Sequence, residues 1–234
     1  MGEGKFVMID SLDGAGKGIA INSLEKHARE SGKNVLDLRE YWKTHEGFPN
    51  IDPYDVIVSA EPTFTGVGKK IRDVMIKNGS TYNAKEIAEA YSEDRFELYK
   101  NIIVPAIKSG KDVYQERGVI TSLVYQTTMK GGYTLDEIKD LPGNKYCLNY
   151  PPDLLLIPIV EPETAMKRLG LREKKDDAIF EKLEFQRQVK PIYESKWLKD
   201  FFESLGSRVE YLDTNEPNTI EDTARKTIEF FNSL

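Results

Sequence analysis

The sequence is poor in the features on which secreted and membrane proteins depend. It contains one cysteine, Cys147, so the chain cannot form an internal disulfide, as is typical of a reducing compartment. The longest strongly apolar run, residues 154–160, is far shorter than the roughly 18 residues that a membrane-spanning helix needs. The segment before Asp10 has no apolar signal core, and Phe6 stands where a myristoylation signal has Ser or Thr. We therefore expect a cytoplasmic protein with no membrane partner.

An excess of positive charge is also missing. Lys and Arg number 33 against 39 Asp and Glu, a net charge of -6, which argues against a protein held mainly by nucleic-acid or lipid phosphates. Hydrophobic residues still make up 39% of the 234 residues, enough to build a core and to exclude a disordered chain. We expect a globular protein without a nucleic-acid partner, in which a local basic cluster could still bind a small polyanion.

Short apolar runs alternate with longer helix-forming stretches along the whole chain. Strands are predicted at residues 5–10, 35–38, 54–59, 112–115, 153–160 and 209–212. Helices are predicted at residues 18–31, 67–77, 85–108, 119–129, 163–169, 179–203 and 219–231. Such alternation implies right-handed crossovers and a parallel sheet that helices cover on both faces. We predict a three-layer α/β/α fold of the P-loop NTPase type, with a mainly five-stranded parallel sheet in a single domain over residues 1–234.

Two segments interrupt this alternation. Residues 40–53 are polar, carry aromatic side chains, and are longer than the usual connection of about 4–6 residues. Residues 170–178 are too charged for a core and lie between two predicted helices. We predict a mobile lid there, at residues 168–180, and we assign no catalytic role to residues 40–53.

A glycine-rich segment, Ser11–Gly18, follows the first predicted strand and opens the first predicted helix. Glycines let backbone N–H groups turn towards phosphates, the helix N-terminus favours negative charge, and Lys17 can reach the β and γ oxygens. The usual pattern G-x-x-x-x-G-K-[ST] has lost its first glycine at Ser11 and its last hydroxyl at Gly18. Because that hydroxyl ordinarily helps to hold Mg²⁺, the ion must be held otherwise. The alternative is a glycine-rich turn that binds no ligand.

Further motifs follow this loop in a recognisable order. They are Glu61-Pro62-Thr63 with Gly68 and Ile71-Arg72, Tyr91-Ser92-Glu93-Asp94-Arg95, Glu116-Arg117 with Ser122-Leu123-Val124-Tyr125-Gln126, and Pro152-Asp153-Leu154. With Leu12–Lys17 they resemble the motifs of the thymidylate kinases, a family of P-loop nucleoside monophosphate kinases, across nearly the whole chain. Two of them depart from the family's F-A-x-D-R and D-R-Y-x-x-S-S-x-A-Y-Q, the second by having Glu116 and Gly118 in place of Asp and Tyr.

The resemblance implies an activity, a cofactor and a partner. A thymidylate kinase transfers the γ-phosphoryl group of ATP to dTMP with the help of Mg²⁺, giving ADP and dTDP, and family members commonly form homodimers. Two alternatives stay open. The acceptor could be another nucleotide or a nucleoside, or the chain could be a nucleotide-binding paralogue with lost or reduced catalysis, as the departures at Ser11, Gly18, Glu116, Gly118 and Asp177 suggest.

The resemblance also assigns roles to individual residues. The ATP phosphates are expected to contact Asp13, Gly14, Ala15, Gly16, Lys17, Gly18, Ile19 and Arg168. The dTMP is expected to contact Asp13, Glu61, Pro62, Arg72, Tyr91, Arg95, Arg117, Ser122, Tyr125 and Gln126. The catalytic residues are expected to be Lys17, Arg117, Arg172 and Asp13, with Arg168 as a second choice for the lid arginine. Glu116 and Asp13 are the candidates for contact with the metal, directly or through water.

Physical reasons support several of these roles. Tyr91 and Arg95 are four residues apart and share one helix face, so a ring and a guanidinium can address one base. Arg117 follows a strand's carboxyl end, where open α/β sheets bind ligands, and its planar fork suits a phosphate. For Tyr91 the alternative is core packing, for Arg95 a surface ion pair with a neighbouring acidic residue such as Glu93, and for Asp13 a helix cap.

Overall fold

Six parallel strands form one sheet in the computed structural model of the protein, which describes residues 4–171 and 178–234. The strand order is β2-β3-β4-β1-β5-β6. The strands are β1 (Phe6–Ile9), β2 (Val35–Asp37), β3 (Val56–Ala60), β4 (Asp112–Glu116), β5 (Leu154–Ile159) and β6 (Arg208–Asp213). The predicted α/β class is confirmed, whereas the predicted count of five strands is one too low. Both edge strands, β2 and β6, belong to the sheet.

Strand β1 lies in the middle of the sheet because both of its faces are apolar. Phe6 and Met8 belong to the hydrophobic cluster on one face, and Val7 and Ile9 belong to the cluster on the other. A strand that is buried on both faces needs cover on both sides, which is the arrangement of a parallel sheet in an α/β protein. The predicted three-layer architecture is therefore confirmed.

Helices connect the strands and cover both faces. They are α1 (Lys17–Glu30), α2 (Leu38–Tyr41), α3 (Gly66–Lys70), α4 (Ala84–Leu98), α5 (Val104–Lys108), α6 (Val119–Thr121), α7 (Leu135–Asp140), α8 (Pro142–Leu148), α9 (Pro162–Gly170), α10 (Leu183–Tyr193), α11 (Lys196–Ser204) and α12 (Ile220–Asn232). Three π-helical turns continue helices at Ile71–Met75, Tyr99–Ile103 and Ser122–Gln126. Within the described residues, no helix is both long enough and apolar enough to span a bilayer.

Some predicted helices differ from the observed ones. The helix predicted over residues 179–203 is two helices, because the Ser195 hydroxyl accepts a hydrogen bond from the Leu198 N–H and starts α11 anew. The helix predicted over residues 85–108 contains a π-helical turn just before Pro105, which has no N–H to donate. Helices α7 and α8 were not predicted, although the capping box at Thr134 marks the start of α7.

The long connection at residues 40–53 is packed against the domain. The buried Trp42 donates a hydrogen bond from Nε1 to the Gly47 carbonyl, 2.6 Å away. Its ring meets Phe48 edge to face, with the ring centroids 6.1 Å apart. The Gly47 N–H donates to the hydroxyl of Thr65, 3.2 Å away. These contacts attach the segment to the residues that follow β3.

Candidate active site

Two cavities open at the edge of the sheet where β1, β3 and β4 end. The large cavity has a volume of about 750 Å³, and the small cavity a volume of about 180 Å³. The large cavity is lined by Asp13, Gly14, Gly16–Ile19, Asn22, Arg39, Ala60, Glu61, Phe64, Arg72, Glu116, Arg117, Arg168, Thr214, Glu216, Asn218–Ile220 and Thr223. The small cavity is lined by Asp13, Glu61, Pro62, Arg72, Asp73, Ile76, Lys77, Tyr91, Arg117, Thr121, Tyr125, Ala178, Phe180 and Glu181.

The two cavities share a wall. Asp13, Glu61, Arg72 and Arg117 line both of them. Parallel strands bring these residues together, because Glu61 follows β3, Arg117 follows β4 and the glycine-rich loop follows β1. Two molecules, one in each cavity, would therefore meet at this wall.

Lys17 begins helix α1 and points back over the glycine-rich loop. Its Nζ donates to the carbonyl oxygens of Ser11 (3.0 Å) and Leu12 (2.7 Å) and lies 3.8 Å from Oδ1 of Asp13. Burial, together with the nearby charge of Arg117, lowers the pKa of Lys17 to about 8, and Asp13 opposes this shift. Lys17 is thus a buried cation at the floor of the large cavity.

The backbone conformation of the glycine-rich loop is compatible with the residues that depart from the usual pattern. Gly14 has φ 82°, and a Cβ there would lie 2.5 Å from the Ala165 carbonyl oxygen, so no side chain fits. At Gly18 a Cβ would meet open space, and the Ser11 hydroxyl donates a hydrogen bond to the Pro158 carbonyl. The residue that caps α1 is Gly16, so the alternative of Asp13 as its N-cap is wrong.

Arg117 occupies the shared wall in an unusual backbone conformation. Its φ is 64°, in the left-handed region that non-glycine residues seldom adopt. Its Nη2 forms an ion pair with Oδ1 of Asp13, and its Nη1 lies 4.0 Å from Oδ1 of Asp10. Burial disfavours the charged guanidinium, but these carboxylates hold the pKa of Arg117 well above its usual value. The side chain therefore presents a permanent positive charge to both cavities.

Glu61, the second shared residue, is a buried carboxylate. Its Oε2 accepts a hydrogen bond from Nε of Arg95 at 2.8 Å and forms an ion pair with Nη2, 2.6 Å away, and its Oε1 accepts a hydrogen bond from Nε2 of Gln115 at 2.8 Å. Burial raises the pKa of Glu61 to about 7, although Arg95 opposes the shift. The peptide bond to Pro62 is cis.

Arg95 lies behind the small cavity. Its guanidinium has no exposed surface, and besides Glu61 it donates to the Ser122 hydroxyl, the Asn144 amide oxygen and the Gly118 carbonyl. The alternative of a surface ion pair with a neighbouring acidic residue is therefore wrong. Every nitrogen of the guanidinium already has an acceptor in the protein, so a contact with a base would require exchange of one of these bonds. That contact stays a prediction.

The other residues predicted for the acceptor nucleotide divide into two groups. Pro62, Tyr91 and Tyr125 line the small cavity together with the four shared residues. Ser122 and Gln126 are fully buried and belong to neither lining, and both polar atoms of the Gln126 side chain lack a partner among the described residues.

Arg72 and Tyr125 are held by contacts on either side of the small cavity. Nε of Arg72 donates to the Pro62 carbonyl (2.7 Å), and its guanidinium lies 3.8 Å from the centre of the Phe64 ring. The hydroxyl of Tyr125 donates to Oδ2 of Asp13 at 3.4 Å. Its ring meets Phe180 edge to face, with the ring centroids 5.3 Å apart. The end of the predicted lid therefore helps to enclose the small cavity.

The predicted phosphate-binding residues lie mainly around the large cavity. All except Ala15, a fully buried residue of the loop, line it. Arg168 is held there by a hydrogen bond from Nη2 to the Thr214 carbonyl, 2.6 Å away. Arg172, the first choice for the lid arginine, lies outside the described residues, as does Asp177. Glu116, a metal candidate, lines the large cavity, and no described residue forms a hydrogen bond or ion pair with its carboxylate.

Several lining residues were not predicted. Arg39 lies after β2, and residues 214–223 lie after β6, so the rule that ligands bind beyond the carboxyl ends of strands could have identified both. Asp10 was also missed, although it is the residue directly after β1. It is fully buried and lines neither cavity.

The sequence is similar to those of known thymidylate kinases over most of its length. A family model described as thymidylate kinase matches residues 50–217. The thymidylate kinase of Thermoanaerobacter sp. (strain X514) is 30% identical over 199 residues, which cover 85% of this chain and 86% of the relative. The probable thymidylate kinase of Thermococcus gammatolerans is 29% identical over 233 residues, 96% of this chain and 94% of the relative. The thymidylate kinase of Clostridium novyi is 25% identical over 221 residues, which cover 93% of this chain and 94% of the relative.

Proposed function

Because the chain belongs to the thymidylate kinase family, we propose that it transfers the γ-phosphoryl group of ATP to dTMP and releases ADP and dTDP. The observation that carries this function is the shared wall between the cavities. Asp13, Glu61, Arg72 and Arg117 line both of them, so a donor in the large cavity and an acceptor in the small cavity meet end to end. Such a meeting is what in-line phosphoryl transfer requires.

The large cavity receives ATP. Its phosphates lie against the backbone N–H groups of the glycine-rich loop, with the ammonium of Lys17 beside the β and γ oxygens. Arg168 donates to the carbonyl of Thr214, whose hydroxyl donates to the Ala15 carbonyl of the loop, so Arg168 would contact the phosphates. Glu216, Asn218–Ile220 and Thr223 also line this cavity, and the nucleoside part of ATP would lie against them. Positive charge at Lys17 and Arg117 offsets the negative charge on the transferred group.

The small cavity receives dTMP. Arg117 and Arg72 bind its phosphate, the Tyr91 ring stacks on the base, and Tyr125 lies beside the sugar. Pro62 packs near the base methyl, a contact that contributes about 1–3 kcal/mol to the preference for thymine over uracil. Asp13 lies within reach of the sugar hydroxyl, since it is held between Lys17 and Arg117. Ser122 and Gln126 support the base side from behind the cavity wall.

Glu116 and Asp13, which both line the large cavity, fit Mg²⁺. Protein sites usually hold this ion through one or two carboxylates together with substrate phosphates and water. Glu116 offers one such carboxylate in the large cavity, next to Lys17, and reaches one methylene further than an aspartate would. The described residues contain no cluster of three potential metal ligands, so phosphates and water would supply the remaining ligands. When bound, the ion neutralises phosphate charge, and Asp13 would contact its waters.

The remaining parts of this function concern the lid and the assembly. We assign the lid arginine to Arg172 with Arg168 as the alternative, a homodimer in solution, a single domain and a cytoplasmic location. The buried, unpaired Cys147 is compatible with a reducing compartment. Light scattering on the purified protein tests the dimer, which a mass near 26.7 kDa would rule out.

A coupled assay of ADP release tests the proposed reaction. ATP and Mg²⁺ are supplied with each of dTMP, dUMP, dCMP and dGMP, and with thymidine. We expect the highest kcat/KM for dTMP, a smaller value for dUMP and no turnover without Mg²⁺. Equal or faster turnover of dCMP or dGMP would reject the thymine assignment. Binding of ATP and dTMP with no product at saturating Mg²⁺ would show a non-catalytic nucleotide-binding protein instead.

A further inference from the structure

The turn at Arg117 and Gly118 is held on all sides by hydrogen bonds. The N–H of Arg117 donates to the Ile9 carbonyl, 2.9 Å away, and the Arg117 carbonyl accepts from Nε2 of Gln115 at 2.9 Å. The N–H of Gly118 donates to Oδ2 of Asp10 at 3.0 Å. A non-glycine residue in the left-handed region is strained and persists only where its surroundings determine it. The hydrogen bonds of this turn provide such surroundings for Arg117.

Asp10 makes the most contacts with this turn. Besides the N–H of Gly118, its Oδ2 accepts from the N–H (3.0 Å) and the hydroxyl (2.7 Å) of Thr121, and its Oδ1 lies 4.0 Å from Nη1 of Arg117. Burial raises the pKa of Asp10, but two backbone N–H groups and Arg117, which can only donate, favour its ionised form. Since Asp10 lines neither cavity, it cannot reach a substrate in this arrangement. Any effect of Asp10 on the reaction must pass through another residue.

Tyr193 connects Asp10 to helix α10. Its buried hydroxyl donates to Oδ1 of Asp10, 2.8 Å away. Helix α10 also carries Phe185, whose ring meets the Tyr125 ring of the small cavity with the centroids 5.2 Å apart. One helix, located after the predicted lid in the chain, thus contacts both the support of Arg117 and the wall of the small cavity.

We propose that Asp10 is a positioning residue that fixes the guanidinium of Arg117 for the acceptor phosphate, and that Tyr193 fixes Asp10 from helix α10. This role rests on the proposed function, because it requires Arg117 to bind the phosphate of a nucleoside monophosphate. In this role, Asp10 and Tyr193 affect the binding of the acceptor phosphate but not the binding of the nucleoside.

Equilibrium binding of dTMP and of thymidine separates these effects, because thymidine lacks the phosphate that Arg117 would contact. The variants are Tyr193→Phe, which removes only a hydroxyl, and Asp10→Asn, which keeps the shape but removes the charge. We expect the Kd for dTMP to rise about tenfold in Tyr193→Phe, as expected for a lost hydrogen bond to a charged group, and about 100-fold in Asp10→Asn, as for a misplaced reactive group. The Kd for thymidine should stay within about twofold in both variants, well under the loss from one hydrogen bond.

Two controls make the test specific. Tyr211→Phe removes a hydroxyl that donates to the Tyr193 carbonyl at 3.3 Å and should leave both Kd values unchanged. In an Arg117→Ala background, Tyr193→Phe should have no further effect on dTMP binding, because its effect passes through Arg117. If Asp10→Asn does not fold, Tyr193→Phe with these controls carries the test alone.

The binding measurements distinguish a positioning role of Asp10 and Tyr193 from a purely structural role. Equal losses of dTMP and thymidine binding would show that Asp10 and Tyr193 only stabilise the fold, and unchanged dTMP binding in Tyr193→Phe would remove the link to α10. If the wild-type protein binds thymidine as tightly as dTMP, the phosphate role of Arg117 in the proposed function fails instead. The measurement needs no phosphoryl transfer, so the two failures are distinct.

Discussion

The large cavity and the small cavity are built from different parts of the chain. The floor of the large cavity is mainly backbone, a loop that turns at Gly14 and Gly16 with positive φ and then enters α1. The small cavity is built mainly from side chains such as Tyr91 and Tyr125, which come from separate elements. A backbone site tolerates changes of side chain, which is why the loop keeps its shape with Ser11 and Gly18. The small cavity, whose walls are side chains, should not tolerate such substitutions.

We expect the largest loss of activity from a substitution in the wall that both cavities share. Arg117→Ala should lower kcat about 1,000-fold, since an arginine that offsets charge in phosphoryl transfer contributes at least that much. Arg117→Lys keeps the charge but loses the planar fork, so it should recover only part of the activity. Steady-state kinetics with dTMP, together with circular dichroism to confirm folding, checks this. Near-normal turnover in a folded Arg117→Ala variant would place the acceptor phosphate elsewhere.

The loop of the large cavity should be sensitive only where its backbone is constrained. Gly14→Ala puts a Cβ at φ 82° and 2.5 Å from the Ala165 carbonyl oxygen, so we expect a loss of about 1–3 kcal/mol in the free energy of unfolding and a fall of about 100-fold in kcat/KM for ATP. Urea titration and kinetics measure the two effects. Gly18→Ala is the matched control, because its Cβ meets open space and alanine favours the helix. Equal damage from both substitutions would contradict the role of the loop's path.

In contrast to the loop, the small cavity should lose affinity for its ligand when one of its side chains is removed. Tyr91→Ala should raise the KM for dTMP about 10- to 100-fold, because stacking of a base on a ring contributes about 1–3 kcal/mol. The KM for ATP should not change, since Tyr91 lines only the small cavity. Tyr91→Phe retains the ring and should keep most of the affinity. If Tyr91→Ala alters ATP and dTMP binding alike, Tyr91 acts through core packing.

The smallest expected effect is a pH dependence that belongs to the large cavity. The pKa of Lys17 is lowered to about 8 by burial, so its charged form declines as pH rises through 8. The kcat/KM for ATP, which reports on the free enzyme, should then fall about tenfold per pH unit above that pKa. At saturating ATP the bound phosphates stabilise the ammonium, so the fall in kcat should move to higher pH. A flat kcat/KM up to pH 9.5 would show that Lys17 keeps its charge through that range.

Much of the fold follows from local patterns. The apolar run at residues 5–10, the glycine-rich turn and the helix-forming residues after it predict β1, the loop and α1, because each pattern depends on neighbouring residues. The predictions were wrong where a local signal was weak or hidden. Helix α7 and the restart of helix at Lys196 each begin at a single side-chain cap, Thr134 and Ser195 respectively, which periodicity does not reveal.

The sequence by itself determined the strand-and-helix alternation, the phosphate loop, and fewer than half of the residues that line the two cavities. Only the tertiary structure decided that both cavities share Arg117, that Arg95 lies behind the cavity wall on Glu61, and that Asp10 meets Tyr193 from the far end of the chain. The physical reason is that a long polar side chain lies wherever its hydrogen-bond partners are buried with it. Those partners lie on other elements, 34 residues away for Arg95 and 183 for Asp10, and no local pattern records them.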